Sequence, residues 1–185
     1  MIEIINDLEE ISRLESGILN LKPAFFDIVS LTKEVFELLE TKAETFNTKL
    51  TFAEFYEEPI LVFAHKESIK KVLTNLIDNS IKYGQNTKGK GKTKISFFDM
   101  EEVILIEITD QGLGISEEHI PRLFERFYRI DKNRSRDVGG SGLGLSIVKH
   151  IIEAHAQSIN VRSSIDVGTS FAFTLAKNQT RPLQN

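Results

Sequence analysis

Asp110-Gln111-Gly112-Leu113-Gly114 and, further on, Gly139-Gly140-Ser141-Gly142-Leu143-Gly144 bracket the most informative part of the chain. Between the two glycine clusters lies a basic, aromatic segment that is poor in periodic structure. Ahead of Asp110, Val103 to Thr109 reads as a buried strand; after Gly144, Leu145-Ser146-Ile147-Val148 opens an apolar helical pattern. A glycine-rich turn entering a helix brings backbone N–H groups and the positive end of the helix dipole close to an anion. A lone carboxylate at a strand end can accept a hydrogen bond from a base amino group. Together these features predict a nucleotide site with a long lid.

Outward from that stretch, the pattern alternates helices with short strands. Glu67 to Tyr83 is the strongest helix, with Ile69, Val72, Leu73, Leu76, Ile77 and Ser80 as its buried stripe. A second amphipathic helix covers residues 28 to 45, capped by Asp27 or Ser30. Lys49 to Phe55 and Ile60 to Phe63 read as short strands. Thr93 to Phe98 pairs with Val103 to Thr109 across a turn at Asp99-Met100-Glu101, and Gly84 to Lys92 is a loop. A helix from Gly144 to about Ala156 precedes strands near Ser158 to Ser163 and Ser170 to Leu175, with Gly168-Thr169 between them. The expected fold is α+β, a two-layer sandwich of a mixed sheet with helices on one face. Met1, Ile4, Leu8 and Ile11 form a short seam that Gly17 ends, either packing on its own domain or closing a dimerising helix. The expected boundaries are 1–17 for that helix end, 18–177 for the main domain and 178–185 for a frayed tail.

Bulk properties narrow the function. The chain has 185 residues, enough for one well-cored domain and an appendage. A net charge of −4 gives no support to nucleic-acid binding. With no cysteine, thiolate metal sites and disulfides are excluded. No apolar run approaches the roughly 18–20 residues of a membrane span, so no direct membrane contact and a cytoplasmic-type domain are expected. The sequence begins inside a helical pattern without a leading cap, as if cut from something larger.

Commoner nucleotide motifs are missing. No lysine follows either glycine cluster as a P-loop requires, and Glu117 stands where a dinucleotide fingerprint needs its third glycine. The strong helix instead offers Asn75, Asn79, Lys82 and Tyr83 on one face. An asparagine amide oxygen suits a Mg²⁺ that keeps most of its waters and also meets phosphates, and Lys82 supplies a point charge for the same phosphates.

Asn75-Leu76-Ile77-Asp78-Asn79-Ser80-Ile81-Lys82-Tyr83 resembles the N box of sensor histidine kinases, and Asp110 to Gly114 resembles their G1 box. Phe124-Glu125-Arg126-Phe127-Tyr128-Arg129 is similar to the F box, Gly140 to Gly144 to the G2 box, and Gly168-Thr169-Ser170 to a weaker final motif. Order and spacing hold from about residue 20 to 176. The resemblance implies the Bergerat ATP-binding fold with ATP and Mg²⁺ as its cofactors. It implies that Asp110 accepts the adenine amino group, Asn79 holds Mg²⁺ and Lys82 reaches phosphate. Tyr83 packs near the base or ribose, and Arg129 and Arg134 approach the phosphates from the lid. Gly112 and Gly114 let the backbone come close to the nucleotide, and Gly140, Gly142 and Gly144 shape the lid's exit. Ile115, Phe127, Ser141, Leu143 and Thr169 complete the implied nucleotide-contact set, and Phe124 and Phe127 read as lid anchors in preference to the alternative, core residues.

Asn75 occupies the position where hydrolysing relatives of this fold carry a water-activating glutamate; it cannot act as a general base at neutral pH. Transfer rather than hydrolysis is therefore implied, with Asn75, Asn79, Lys82 and Arg134 as the catalytic set. None of the 4 histidines stands before an acid, as the family's phosphoacceptor does. The implied partners are a dimerisation domain that carries that histidine and a response-regulator receiver domain. The rival readings are an ATP-binding switch without kinase activity and an ATP-hydrolysing member of the same fold.

Overall fold

The structure, a computed structural model, describes Ile5, Leu8, Glu9, Ile11, Ser12 and residues 21–130 and 141–178. Its elements run β1 (Ala24–Asp27), α1 (Ile28–Thr45), β2 (Thr48–Phe52), β3 (Leu61–Ala64), α2 (Lys66–Tyr83), β4 (Gly91–Met100) and β5 (Val103–Asp110). A 3₁₀ turn (Ile120–Arg122) and α3 (Gly144–Ala154) follow, then β6 (Ile159–Ser164) and β7 (Gly168–Ala176). The main sheet has the order β2-β4-β5-β7-β6, with β2 parallel to β4 and the other neighbours antiparallel. α2 packs on β4 and β5, flanked by α1 and α3, so the expected α+β sandwich with a mixed sheet is what forms.

The stripe read on α2 is the core of the molecule. Ile69, Val72, Leu73, Leu76, Ile77 and Ile81 are fully buried against Ile95, Ile106, Ile108 and Phe173 from the sheet. β5 differs from its expected burial: Ile104, Ile106, Ile108 and Asp110 face the helices while Val103, Leu105, Glu107 and Thr109 are half-buried on the other face. One face alone is covered by helices, so the strand alternates despite its apolar run. A buried hydroxyl pair, Ser80 to Thr93 at 2.7 Å, ties α2 to β4. Thr93 lies opposite Asp110 in the β4–β5 register, so this tie sets the height of α2 against the end of β5.

α1 starts where Asp27 caps it. Its carboxylate accepts from Val29 N and Ser30 N at 3.1 Å and from Ile60 N at 3.0 Å, and the Ser30 hydroxyl also donates to it. Burial pushes this carboxyl up, but the Ser30 hydroxyl and the Val29, Ile60 and Ser30 amides outweigh it and hold it below its usual range. One side chain thus caps a helix and fastens the approach to β3. β1, which pairs antiparallel with β3, was not foreseen: its Ala24 and Phe25 are exposed and give no alternation. Other boundaries also moved: β2 ends at Phe52 rather than Phe55, and β4 runs on to Met100 in the expected turn. β4 begins at Gly91, inside the expected loop, and Gly168 belongs to β7 rather than to the turn before it.

Of the N-terminal helix, Ile5, Leu8, Glu9, Ile11 and Ser12 are helical; Ile11 is fully buried in the core while Ile5 and Leu8 are 60% and 38% exposed. Met1, Ile4 and Gly17, and nearly all of the expected tail, lie outside the described residues. Among the described residues no helix is long and apolar enough to cross a membrane.

His155 locks the far ends of α2 and α3 together. Its Nδ1 lies 2.7 Å from Ile151 O, to which it donates, and its Nε2 accepts the His65 backbone N–H at 3.1 Å. The bond from the His65 N–H needs an unprotonated Nε2, and burial holds the ring's pKa below the usual 6.5, with the Ile151 carbonyl pulling the other way and His65 adding to the depression. The unfolded chain takes up this proton near pH 6.5 and the folded chain does not, so stability is full above that pH and declines as pH falls. Thermal melts from about pH 7.5 to about pH 5.5 should show that decline, and His155→Gln should flatten it. An unchanged slope in the variant would contradict the assignment.

Candidate functional site

The C-terminal end of α2, the start of β4, the end of β5 and the start of β7 meet at Asp110. This side chain is 8% exposed. Its Oδ1 accepts from Gly112 N at 2.9 Å and from Thr169 N at 3.2 Å. Oδ2 has no hydrogen-bond partner among the described residues. Burial pushes the carboxyl's pKa up, against the pull of the Gly112 and Thr169 amides. The arrangement is an oriented acceptor: one oxygen fixed by backbone, the other presented in a poorly solvated place.

Backbone crowds this residue at Gly84, Gly112 and Gly168. A Cβ on Gly112 would come within 2.5 Å of Tyr83 O, 2.8 Å of Gly84 Cα and 3.1 Å of Asp110 Oδ1. Only hydrogen fits there, so the chain closes over Asp110 without displacing it. Gly84 and Gly168 make equally close approaches, to Asp110 Cβ and Asp110 O. The sequence places Gly168 in a weak final motif without a stated contact and gives Gly84 no part in the site. The signal for Gly84 was its place directly after the last helical residue, Tyr83; nothing local revealed Gly168's contact. Ser163 Oγ bonds Thr169 Oγ1 at 2.8 Å and accepts from Ile115 N at 2.8 Å, which holds Ile115 beside the same corner. Gly114 packs against Ser164.

The N-box residues line α2 as expected but do different work. Asn79 is half-buried and its amide has no hydrogen bond among the described residues. Asn75 Nδ2 donates to Lys71 O at 3.0 Å, and a Cβ on Gly144 would lie 2.7 Å from Asn75 Oδ1. Asn75 is thus a packing neighbour of the second glycine box. Tyr83 is 54% exposed, a flat ring at the rim. Lys82 is turned to Asp78, its Nζ 2.7 Å from Oδ2, rather than standing uncommitted.

From the lid side, Gly142 has φ +74°, a conformation that glycine adopts without strain, and a Cβ there would meet Phe127 Cα at 2.9 Å. Phe127 N donates to Gly142 O at 3.0 Å, so the two boxes are stitched by backbone. The two phenylalanines expected as lid anchors part company: Phe124 meets Phe171 edge-on at 6.4 Å against the core, while Phe127 is 57% exposed. Ser141 Oγ accepts from Leu143 N at 3.2 Å, and Leu143, fully buried, is the N-cap of α3. Arg129 is half-buried. Arg134 and Gly140 lie outside the described residues.

The histidines all have structural partners. His65 Nδ1 bonds Ser68 Oγ at 2.8 Å, His119 Nδ1 bonds Tyr128 Oη at 2.7 Å, and His150 lies 3.9 Å from Glu153. Among the described residues no group of three or more His, Cys, Asp or Glu could hold a metal ion. A cation that takes one amide oxygen from Asn79 and the rest of its shell from phosphates and water still fits, because Mg²⁺ retains its waters and rarely needs an all-protein cage.

A corner with one oriented carboxylate, an asparagine-bearing helix and two glycine boxes defines a class. The model of the histidine kinase-, DNA gyrase B- and HSP90-like ATPase family matches residues 64–179, and the chain belongs to that family. Within it, the chain is a catalytic ATP-binding domain of the histidine-kinase kind. It superposes on the catalytic domain of histidine kinase ThkA with TM-score 0.72 and 30% identity, over 84% of this chain and 96% of that one. It is 34% identical over 178 residues to the sensor histidine kinase WalK of Bacillus subtilis, covering 95% of this chain and 28% of WalK. Full-length ShkA in complex with AMPPNP shares the fold at TM-score 0.81 and 23% identity, over 96% of this chain and 36% of ShkA. The chain therefore spans well under half the length of WalK and ShkA.

Proposed function

We propose that this chain binds Mg·ATP and presents its γ-phosphoryl to a histidine on a dimerisation domain, from which the phosphate passes to an aspartate of a response-regulator receiver domain. Asp110 carries the proposal: its bound Oδ1 and open Oδ2 suit a base amino group, a donor that relieves the desolvation of a buried acceptor. In this reading Gly112, Gly114, Ile115 and Thr169 shape the base pocket, and Tyr83 covers base or ribose. Asn79 holds Mg²⁺ by its uncommitted amide, Lys82 meets phosphate, and Phe127, Arg129, Arg134 and residues 140–144 close over the triphosphate. Bound Mg²⁺ neutralises charge on the phosphates; the protein's share is positioning and added positive charge. The ShkA complex with AMPPNP supports a nucleotide in this fold. The domain would work in the cytoplasm, with the whole protein free or membrane-anchored.

Asn75 supports transfer over hydrolysis, because its amide is bonded to Lys71 O and no carboxylate takes its place. Mixed with Mg·ATP and a separately supplied dimerisation domain, the chain should place acid-labile label on that domain's histidine and none on itself. Free phosphate without labelled histidine would support a hydrolase, and nucleotide binding with neither would support a switch. Acid-labile label on the isolated chain would contradict the structural roles given to its histidines.

A further inference from the structure

Asp78 stands between two lysines from different helices. Its Oδ2 lies 2.7 Å from Lys82 Nζ, one turn along α2, and its Oδ1 forms an ion pair with Lys42 Nζ in the last turn of α1. The three side chains are unevenly exposed: Lys42 37%, Asp78 18% and Lys82 15%. Oδ1 is buried and has no hydrogen bond among the described residues, so its charge is balanced there only by the Lys42 pair. Losing that compensation is costly for a carboxylate that water barely reaches.

Helix geometry makes Lys82 a shared group. Asp78 and Asn79 are consecutive, so their side chains leave α2 about 100° apart. Lys82 is four residues beyond Asp78 and three beyond Asn79, and both spacings put side chains within reach of each other. One rotamer change therefore takes its ammonium from Asp78 toward the Asn79 side.

We propose that Asp78 and Lys42 form a counter-ion relay for Lys82. Without nucleotide, Asp78 holds Lys82; when the triphosphate arrives, Lys82 turns to it and Lys42 alone neutralises Asp78. Lys42 is then a positioning residue for phosphate binding, although it belongs to another helix. The proposal rests on the reading that Lys82 meets phosphate.

Calorimetry with Mg·ATP, and NMR titration with adenosine, on the full chain tests it. Lys42→Met strands Asp78 when Lys82 leaves, so ATP should bind about fivefold more weakly, with adenosine unchanged. Lys42→Arg should restore ATP affinity. Asp78→Asn frees Lys82 at no charge cost and should bind ATP as tightly as the wild type or more so. In the Asp78→Asn background the Lys42→Met penalty should vanish. The relay is overturned if Lys42→Met leaves ATP affinity unchanged, weakens ATP and adenosine alike, or keeps its penalty beside Asp78→Asn. A wild-type chain that fails to bind ATP at all would overturn the proposed function, and the relay with it.

Discussion

Asp110→Asn should weaken adenine-nucleotide binding by roughly tenfold to a hundredfold, the cost of about 1.5–3 kcal/mol for a lost charge-assisted hydrogen bond. Asparagine is nearly isosteric, and its carbonyl oxygen can keep the Gly112 and Thr169 amides that Oδ1 now accepts. Its NH₂ then occupies the place of Oδ2 and faces a base amino group donor to donor. Flipping the amide rescues the ligand contact only by turning NH₂ against two backbone N–H groups. Either way one buried donor loses its acceptor, while the fold around Gly84, Gly112 and Gly168 is preserved. Calorimetry with ATP and with ADP should show similar losses, because the base is common to both. An unchanged affinity would remove Asp110 from the site.

Asn79→Ala should reduce phosphotransfer to a supplied dimerisation domain by about a hundredfold or more, since catalysis of this kind rests on the placement of charge around the phosphates. The residue is half-buried on a helix whose opposite face is the core, and its amide makes no hydrogen bond among the described residues. Truncation therefore breaks no hydrogen bond among the described residues, and the melting temperature should hold. ATP affinity should lose most of its dependence on added Mg²⁺, whereas adenosine, which carries no phosphate, should bind as before. A variant whose ATP affinity still rises with Mg²⁺ as in the wild type would take Asn79 out of the metal's reach.

Much of this was legible before any coordinates, for physical reasons that differ by element. The stripe Ile69, Val72, Leu73, Leu76, Ile77, Ser80 is one periodic face over about three turns, and all of it is buried. The order of the boxes placed an acid at a strand end and an asparagine on a helix, and the sheet brings those two ends to one corner. β1 was missed because it is held by its pairing with β3, not by an apolar rhythm of its own. The Thr169 amide that fixes Asp110 is 59 residues away, and only the pairing of β5 with β7 delivers it. Phe124 and Phe127 are indistinguishable by type and spacing, yet one packs on Phe171 and the other stays out. Of the Asp78 cluster, the spacing to Lys82 was readable and the arrival of Lys42 from α1 was not. That part depends on how α1 lies on α2.

On this reading the Asp110 carboxylate receives a purine. A crystal structure of the chain grown with Mg²⁺ and a non-hydrolysable ATP analogue tests it most directly. The adenine amino group should lie within hydrogen-bond distance of Asp110 Oδ2, with the phosphates running toward Asn79. An adenine ring bound anywhere else on the chain would contradict the account.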